Sequence, residues 1–213
     1  MTDAILPLLR GAVATLQIAI CGTCLATALG VSAAVVAQAG VPLRVLIATY
    51  VSFIRGTPLL VQLLVIFYVL PKVGLDVSPF WAGVVALGVN GGAHIREMIR
   101  GALTAIPPGQ VEAARALAMP RFWIWARIVL PQVFVLILPP LTVEFSALLK
   151  GSALISIVGY VELTRQAQYQ LATSSHPYAV LVATAAIYGV MCLAVGELTH
   201  QLRRSSSRRG AAI

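Results

Sequence analysis

The sequence has 213 residues, 59% of them hydrophobic and only 10% charged, with a mean hydropathy of +0.92. Soluble domains carry about 25% charged residues, so this composition excludes a water-soluble globule and points to one membrane-embedded unit over residues 1–213. The net charge of +8 does not signal nucleic acid, because the basic residues stand between apolar stretches and in the C-terminal tail rather than on one aromatic-rich face.

Residues 11–43 carry no charge, more than the roughly 20 residues that a spanning helix needs. Their Thr, Ser, Gly and Ala content suits close helix packing in lipid. Cys21 and Cys24 have C-x-x-C spacing, but within an uncharged run they read as small packing residues on one helix face. Asp3 precedes this run and only Arg10 flanks it, so the run is expected to stay as a span and not act as a cleaved signal. Gly40-Val41-Pro42 ends it, and Arg44 marks the water boundary. A second apolar run, residues 45–70, is interrupted by Arg55-Gly56-Thr57-Pro58.

The third run, residues 77–95, contains Asn90-Gly91-Gly92 and ends in Arg96-Glu97-Met98-Ile99-Arg100. Adjacent glycines either loosen the helix into a polar opening, where Asn90 offers its amide to a ligand, or let neighbouring helices approach closely. Pro107-Pro108-Gly109 is expected to block a helix, leaving Gln110 or Val111 to open a short one through Leu117. A bend at Ala118-Met119 follows, and Pro120 suits the first position of a second helix. Residues 101–130 therefore read as a helix–turn–helix docking element outside the membrane. In it Glu112 and Ala114 are expected to face a partner and Ala118 to take the left-handed bend. Trp123 and Trp125 beside Arg121 and Arg127 suit the headgroup level.

The fourth run begins near Ile128, contains Pro131 and Pro139-Pro140, and reaches Lys150. Arg55, Glu144 and Lys150 are the ionisable residues nearest the apolar layer. A charge at the centre of a span costs about 2.5–3.5 kcal/mol on insertion scales, so all three should face protein or water, and Arg55 can pair with Glu144. Residues 151–175 read as a short helix and surface loop. The fifth span covers residues 178–199, and a basic tail, residues 201–213, closes the chain. With the docking element in the cytoplasm, ten arginines are cytoplasmic, which by the positive-inside bias puts the N-terminus outside and the C-terminus inside. The tail is then a solvated anchor near anionic lipid.

The chain has no G-x-x-x-x-G-K-[ST] loop: its only lysines are Lys72 and Lys150, and neither follows Gly, so it cannot cradle ATP phosphates in that way. His94, His176 and His200 lack metal-ligand spacing, and no nucleophile–base constellation is present. No cofactor, no metal and no catalytic residue is expected on the chain. Any ATP-driven function needs a separate ATPase.

The docking stretch resembles the EAA loop of ATP-binding-cassette (ABC) importer permeases: Glu-Ala-Ala, three residues, Gly, nine residues, Ile-x-Leu-Pro. Glu112-Ala113-Ala114 is followed at that spacing by Ala118, which replaces the Gly, and by Ile128-Val129-Leu130-Pro131. Tyr50-Val51-Ser52-Phe53-Ile54-Arg55-Gly56-Thr57-Pro58, Gly109-Gln110-Val111-Glu112 and Leu148-Leu149-Lys150 are similar to the polar amino-acid uptake branch. The resemblance implies an all-α membrane protein of about five transmembrane helices, type I-like, with the docking element between the third and fourth. It implies three kinds of partner: an ATPase subunit dimer carrying ATP and Mg, a second permease subunit, identical or homologous, and an extracytoplasmic solute-binding protein. Candidate coupling residues are Glu112, Ala113, Ala114, Ala118 and Pro120. Candidate pathway residues are Asn90, Gly91, Gly92, His94, Glu144 and Lys150. The family often has Tyr at His94, Asn at Val143 and Asp-Thr at Gly151-Ser152. An ion-coupled transporter and a membrane scaffold that only recruits an ATPase are the alternative readings.

Overall fold

The computed structural model describes residues 2–210, with side chains described for residues 5–197 and 201. Helix α1 (Thr2–Val36) is followed by α2 (Val41–Gly56) and α3 (Leu59–Val69), which meet at 102° across Thr57-Pro58. A 3-10 turn (Leu70–Val73) leads to α4 (Pro79–Ala105), α5 (Pro108–Ala116) and α6 (Arg121–Ile124). A π-helical turn (Trp125–Val129) then opens into α7 (Leu130–Gly151). A second 3-10 stretch (Ser152–Val158), α8 (Leu163–Thr173) and α9 (Pro177–Gly210) complete the order.

Three of these helices are long and apolar enough to cross a membrane, or four if the bent α2–α3 pair is one broken span. The expected third span, α4, has the length, at 27 residues, but its own polar residues dilute it. It tolerates them because α1, α2, α3 and α7 all pack on it, so little of it needs to face lipid. Helix α4 also runs about ten residues past the expected boundary at Ile95. Glu97 lets it do so by accepting from Arg96 Nη1 (2.8 Å) and Arg100 Nε (2.6 Å). By contrast Val13, Ile20 and Val35 of α1 and Val182, Val190 and Leu193 of α9 are exposed, the surface expected where acyl chains are the solvent.

The tightest packing joins α1 to α4. A Cβ on Gly30 would stand 2.7 Å from Ile95 Cγ2 and 2.9 Å from the Gly92 carbonyl oxygen. One on Gly91 would meet Ala26 Cβ at 2.9 Å, and one on Gly92 would meet Leu29 Cβ at 3.0 Å. Without a hydrophobic drive between helices in lipid, backbone approach through small residues supplies the attraction. This corrects one alternative above: α4 is continuous through Asn90-Gly91-Gly92, and the two glycines serve packing, with no unwound opening.

Residues 151–175, expected to be a short helix and surface loop, do contain a short helix, α8, but the surface-loop part is corrected. Ile155, Glu162 and Leu163 are buried, and α8 docks on α1 and α9. Glu162, wholly buried, caps α8 by accepting from the Thr164 N–H (2.9 Å) and the Arg165 N–H (2.8 Å). Its carboxylate also accepts from Thr15 Oγ1 of α1 (3.3 Å) and the Tyr188 hydroxyl of α9 (2.9 Å). Thr15 Oγ1 in turn accepts from the Leu163 N–H at 3.1 Å. One buried carboxylate thus ties three helices together with its acceptor sites filled. The expected fifth span lies within α9, which continues as helix through the basic tail to Gly210, while Ala211–Ile213 lie outside the described residues.

Gly30→Leu is expected to force α1 away from α4 and lower the thermal midpoint of the detergent-purified chain by about 2–12 °C, the range for overpacking by about 1–3 kcal/mol. Gly189→Ala, where nothing lies within 4 Å, should leave it unchanged or slightly higher. Equal midpoints for both variants would show that the α1–α4 approach is not what limits stability.

Candidate functional site

The loop between α4 and α7 is built around its bend. Pro107 and Pro108 do not block α5: Pro107 caps it and Pro108 is its first residue, a position where the missing N–H costs nothing. At the other end the Ala118 N–H donates to the Arg115 carbonyl (2.9 Å) and the Met119 N–H to the Ala114 carbonyl (3.1 Å). This pair of bonds is a Schellman ending, which requires a left-handed residue between helix and exit. Ala118 takes that role with φ 54°, alone among the described non-glycine residues. Pro120 then caps α6, one position earlier than expected, with its carbonyl accepting from the Trp123 N–H at 2.9 Å.

The loop's faces differ from the expected ones in one respect. Ala114 is only 4% exposed; with Val111, Met119 and Ile124 it belongs to the main core and cannot meet a partner. The reason is the Schellman geometry, which folds Met119 back over Ala114. Glu112, Ala113, Arg115 and Ala118 remain exposed. The outer face also holds two residues with no signal in the motif: Leu117, 83% exposed, and Phe122, 71% exposed. A leucine at a helix end is unremarkable in sequence, and only the fold shows that nothing in the chain covers it. Trp123 stacks under the Arg127 guanidinium at 4.4 Å. Gln132 Nε2 on α7 donates to Gln110 Oε1 on α5 at 2.7 Å, so loop and span are directly tied.

A second set of polar groups lies inside the bundle. Gln62, buried on α3, donates to the Ile54 carbonyl (2.8 Å) and Thr57 Oγ1 (2.8 Å), filling acceptors that the α2–α3 break leaves free. Gln62 Oε1 accepts from Asn90 Nδ2 at 3.2 Å, so one of the two Asn90 amide N–H donors is spent on Gln62. Glu144 on α7 is buried, with no hydrogen bond or ion pair among the described residues. The Arg55 guanidinium is within electrostatic reach of both Glu144 and the half-buried His94, yet forms no ion pair with Glu144. Lys150 is exposed in the last turn of α7, six residues and roughly 9 Å of helix beyond Glu144. No hydrogen bond or ion pair joins Arg55, His94 and Glu144 among the described residues; Gly91 and Gly92 serve packing, and Lys150 stands apart in the last turn of α7. Gln62, bonded to Asn90, is a buried polar residue that the sequence did not single out. No group of three or more metal-ligating side chains occurs among the described residues.

Comparison with known proteins places these features in a family. The family described as binding-protein-dependent transport system inner membrane component matches residues 26–206. The chain is 38% identical over 168 residues to the L-cystine transport system permease protein TcyB of Bacillus subtilis, covering 78% of this chain and 72% of that protein. It is 37% identical over 192 residues to the putative glutamine transport system permease protein GlnP of Rickettsia typhi, covering 89% and 88%. A crystal structure of an amino acid ABC transporter with histidines superposes with a TM-score of 0.90 at 34% identity, covering 96% of each chain.

Three substitutions separate the bend, the buried face and the exposed face of the loop. Ala118→Gly removes a left-handed penalty of about 1–2 kcal/mol, partly offset by glycine's greater chain entropy, and should raise the unfolding midpoint. Ala114→Asp buries an unpaired charge, a change of about 3–5 kcal/mol, and should lower the midpoint and expose the loop to proteolysis. Glu112→Ala, on the exposed face, should do neither; a fall in its midpoint would mean that the loop is oriented differently.

Proposed function

Because the chain belongs to the family of binding-protein-dependent transport system inner membrane components, we propose that it is the permease subunit of an ABC importer carrying a polar amino acid or related compound. The observation that carries this reading is the α5–α6 element, anchored through Ala114 and Met119 while Glu112, Ala113, Leu117 and Phe122 stand outward. Such a surface suits an ATPase that pushes on the loop, with Leu117 and Phe122 as apolar anchors and Glu112 as a charged contact. The motion enters α7 through the Gln110–Gln132 bond and the π-turn, and α4 through Ile106 and Pro107. The chain itself hydrolyses nothing. ATP and Mg belong to the ATPase dimer.

Translocation by alternating access needs a path that is polar but unsaturated. Glu144, His94 and Arg55 offer it: a buried carboxylate without a partner, a half-buried imidazole and a guanidinium share one neighbourhood. Such a set suits a zwitterion, the carboxylate binding an ammonium and the guanidinium a carboxylate. Asn90 lends an acceptor oxygen, and Lys150 stands outside this group at the far end of α7. An extracytoplasmic solute-binding protein delivers substrate, and a second permease, identical or homologous, completes the pore. With the α5–α6 loop cytoplasmic, the N-terminus lies outside and the C-terminus inside. The importer reading is preferred over an ion-coupled transporter or a passive scaffold, since the named relatives of this chain are permeases of transport systems.

The test is amino-acid-stimulated ATP hydrolysis in vesicles holding the chain with its ATPase and binding protein. The chain alone should hydrolyse no ATP, and Leu117→Asp should cut stimulated hydrolysis at least about tenfold, the loss of about 1.4 kcal/mol of coupling, without affecting insertion. Normal stimulation in that variant would remove the loop as the coupling surface. In a cysteine-free background, Arg115→Cys should resist an impermeant thiol reagent in intact cells while Lys72→Cys is labelled. The reverse pattern would invert the topology.

A further inference from the structure

Two clefts lie side by side at the end of the bundle that carries α5. The first, about 320 Å³, lies between the end of α1, the start of α2 and the end of α4, and is lined by Arg44, Arg96 and Arg100. The second, about 350 Å³, is almost wholly apolar and runs between α1, α4 and α7 past Val31, Val35, Trp125, Phe134 and Ile137. Ala34, Gln38 and Leu103 line both, so the basic cleft and the apolar one are immediate neighbours.

The charge in the first cleft is not cancelled. Glu97 accepts from Arg96 and Arg100, which offsets one of three positive charges. Arg96 is only 5% exposed and spends one Nη1 donor on Glu97, leaving most of its five N–H donors. The exposed Arg44 guanidinium has no hydrogen bond or ion pair among the described residues. Glu112 and Arg115 lie in the adjoining cleft on the loop side, where their charges balance. Two uncompensated guanidinium charges therefore sit at the mouth of a groove lined by aliphatic and aromatic side chains. Guanidinium forks match phosphate oxygens in geometry. The Trp125 ring beside the groove suits the depth at which headgroup meets acyl chain.

We infer that this double cleft holds an anionic glycerophospholipid, its phosphate on Arg44, Arg96 and Arg100 and one acyl chain in the groove between α1, α4 and α7. Charge and apolarity are complementary to that one molecule in the order in which the clefts follow each other. Basic pockets between membrane helices are a known form of headgroup site, and the only premise is that the chain sits in a bilayer. The lipid would brace the end of α4 that leads into α5, where Leu103 lines both clefts.

The full chain, purified in nonionic detergent, is titrated with dioleoylphosphatidylglycerol, dioleoylphosphatidylcholine or inorganic phosphate and read by native mass spectrometry. One saturable phosphatidylglycerol is expected, bound about tenfold or more tighter than phosphatidylcholine, with phosphate unable to displace it. Arg44→Gln, at an exposed position, should weaken phosphatidylglycerol about fivefold, the loss of about one favourable arginine. Ala34→Trp, which adds bulk where the two clefts adjoin, should weaken it further, and Arg165→Gln, remote from both clefts, should change nothing. The inference is overturned if phosphatidylcholine binds equally well, if phosphate competes, or if Arg44→Gln and Ala34→Trp both bind normally. It is also overturned if the assembled complex with ATPase and second permease expels the lipid, which would make the groove a protein interface.

Discussion

The bundle depends on how closely α1 can approach α4. In water, burial of apolar surface would hold two such helices together; in lipid, leucine is no better off against a neighbour than against an acyl chain. Contact must come from backbone proximity, and Gly30, Gly91 and Gly92 provide it at the points where any Cβ would collide. Once α1 covers one side and α2, α3 and α7 the others, α4 is sheltered enough to carry Asn90, His94, Arg96, Glu97 and Arg100 through the protein.

That shelter sorts the polar side chains into two kinds. Glu162 and Gln62 have their hydrogen-bonding capacity filled by neighbours: Glu162 joins α1, α8 and α9, and Gln62 closes the open end of α2. Groups saturated in this way hold helices in register and have little left for a ligand. Glu144 and Arg55 are the opposite case: neither has a hydrogen bond or ion pair among the described residues, and Arg55 is exposed.

The α5–α6 loop is held firmly against the bundle. Its bend is rigid because two backbone bonds close around Ala118, its inner face is clamped by Ala114 and Met119, and Gln132 links it to α7. The loop and the spans that enter and leave it are thus joined as one packed unit. The π-turn Trp125–Val129 lies between loop and span. Such turns frequently mark functional positions in helices.

Much of this was legible in the sequence by itself. Long uncharged runs specify membrane helices because the bilayer demands internally satisfied backbone over a fixed thickness. The run from Glu112 to Pro131 marked a helix, a bend and a second helix, and the position of Ala118 marked the left-handed bend, both properties of local chain geometry. What a residue faces was not legible, because in a membrane protein lipid-facing and protein-facing positions are both apolar. Only the tertiary structure turned Ala114 inward, left Leu117 bare, assigned Gly91 and Gly92 to packing, folded residues 45–70 at 102° and buried Glu162. Each of those outcomes depends on which helix lies opposite, and that is decided by contacts among residues far apart in the chain.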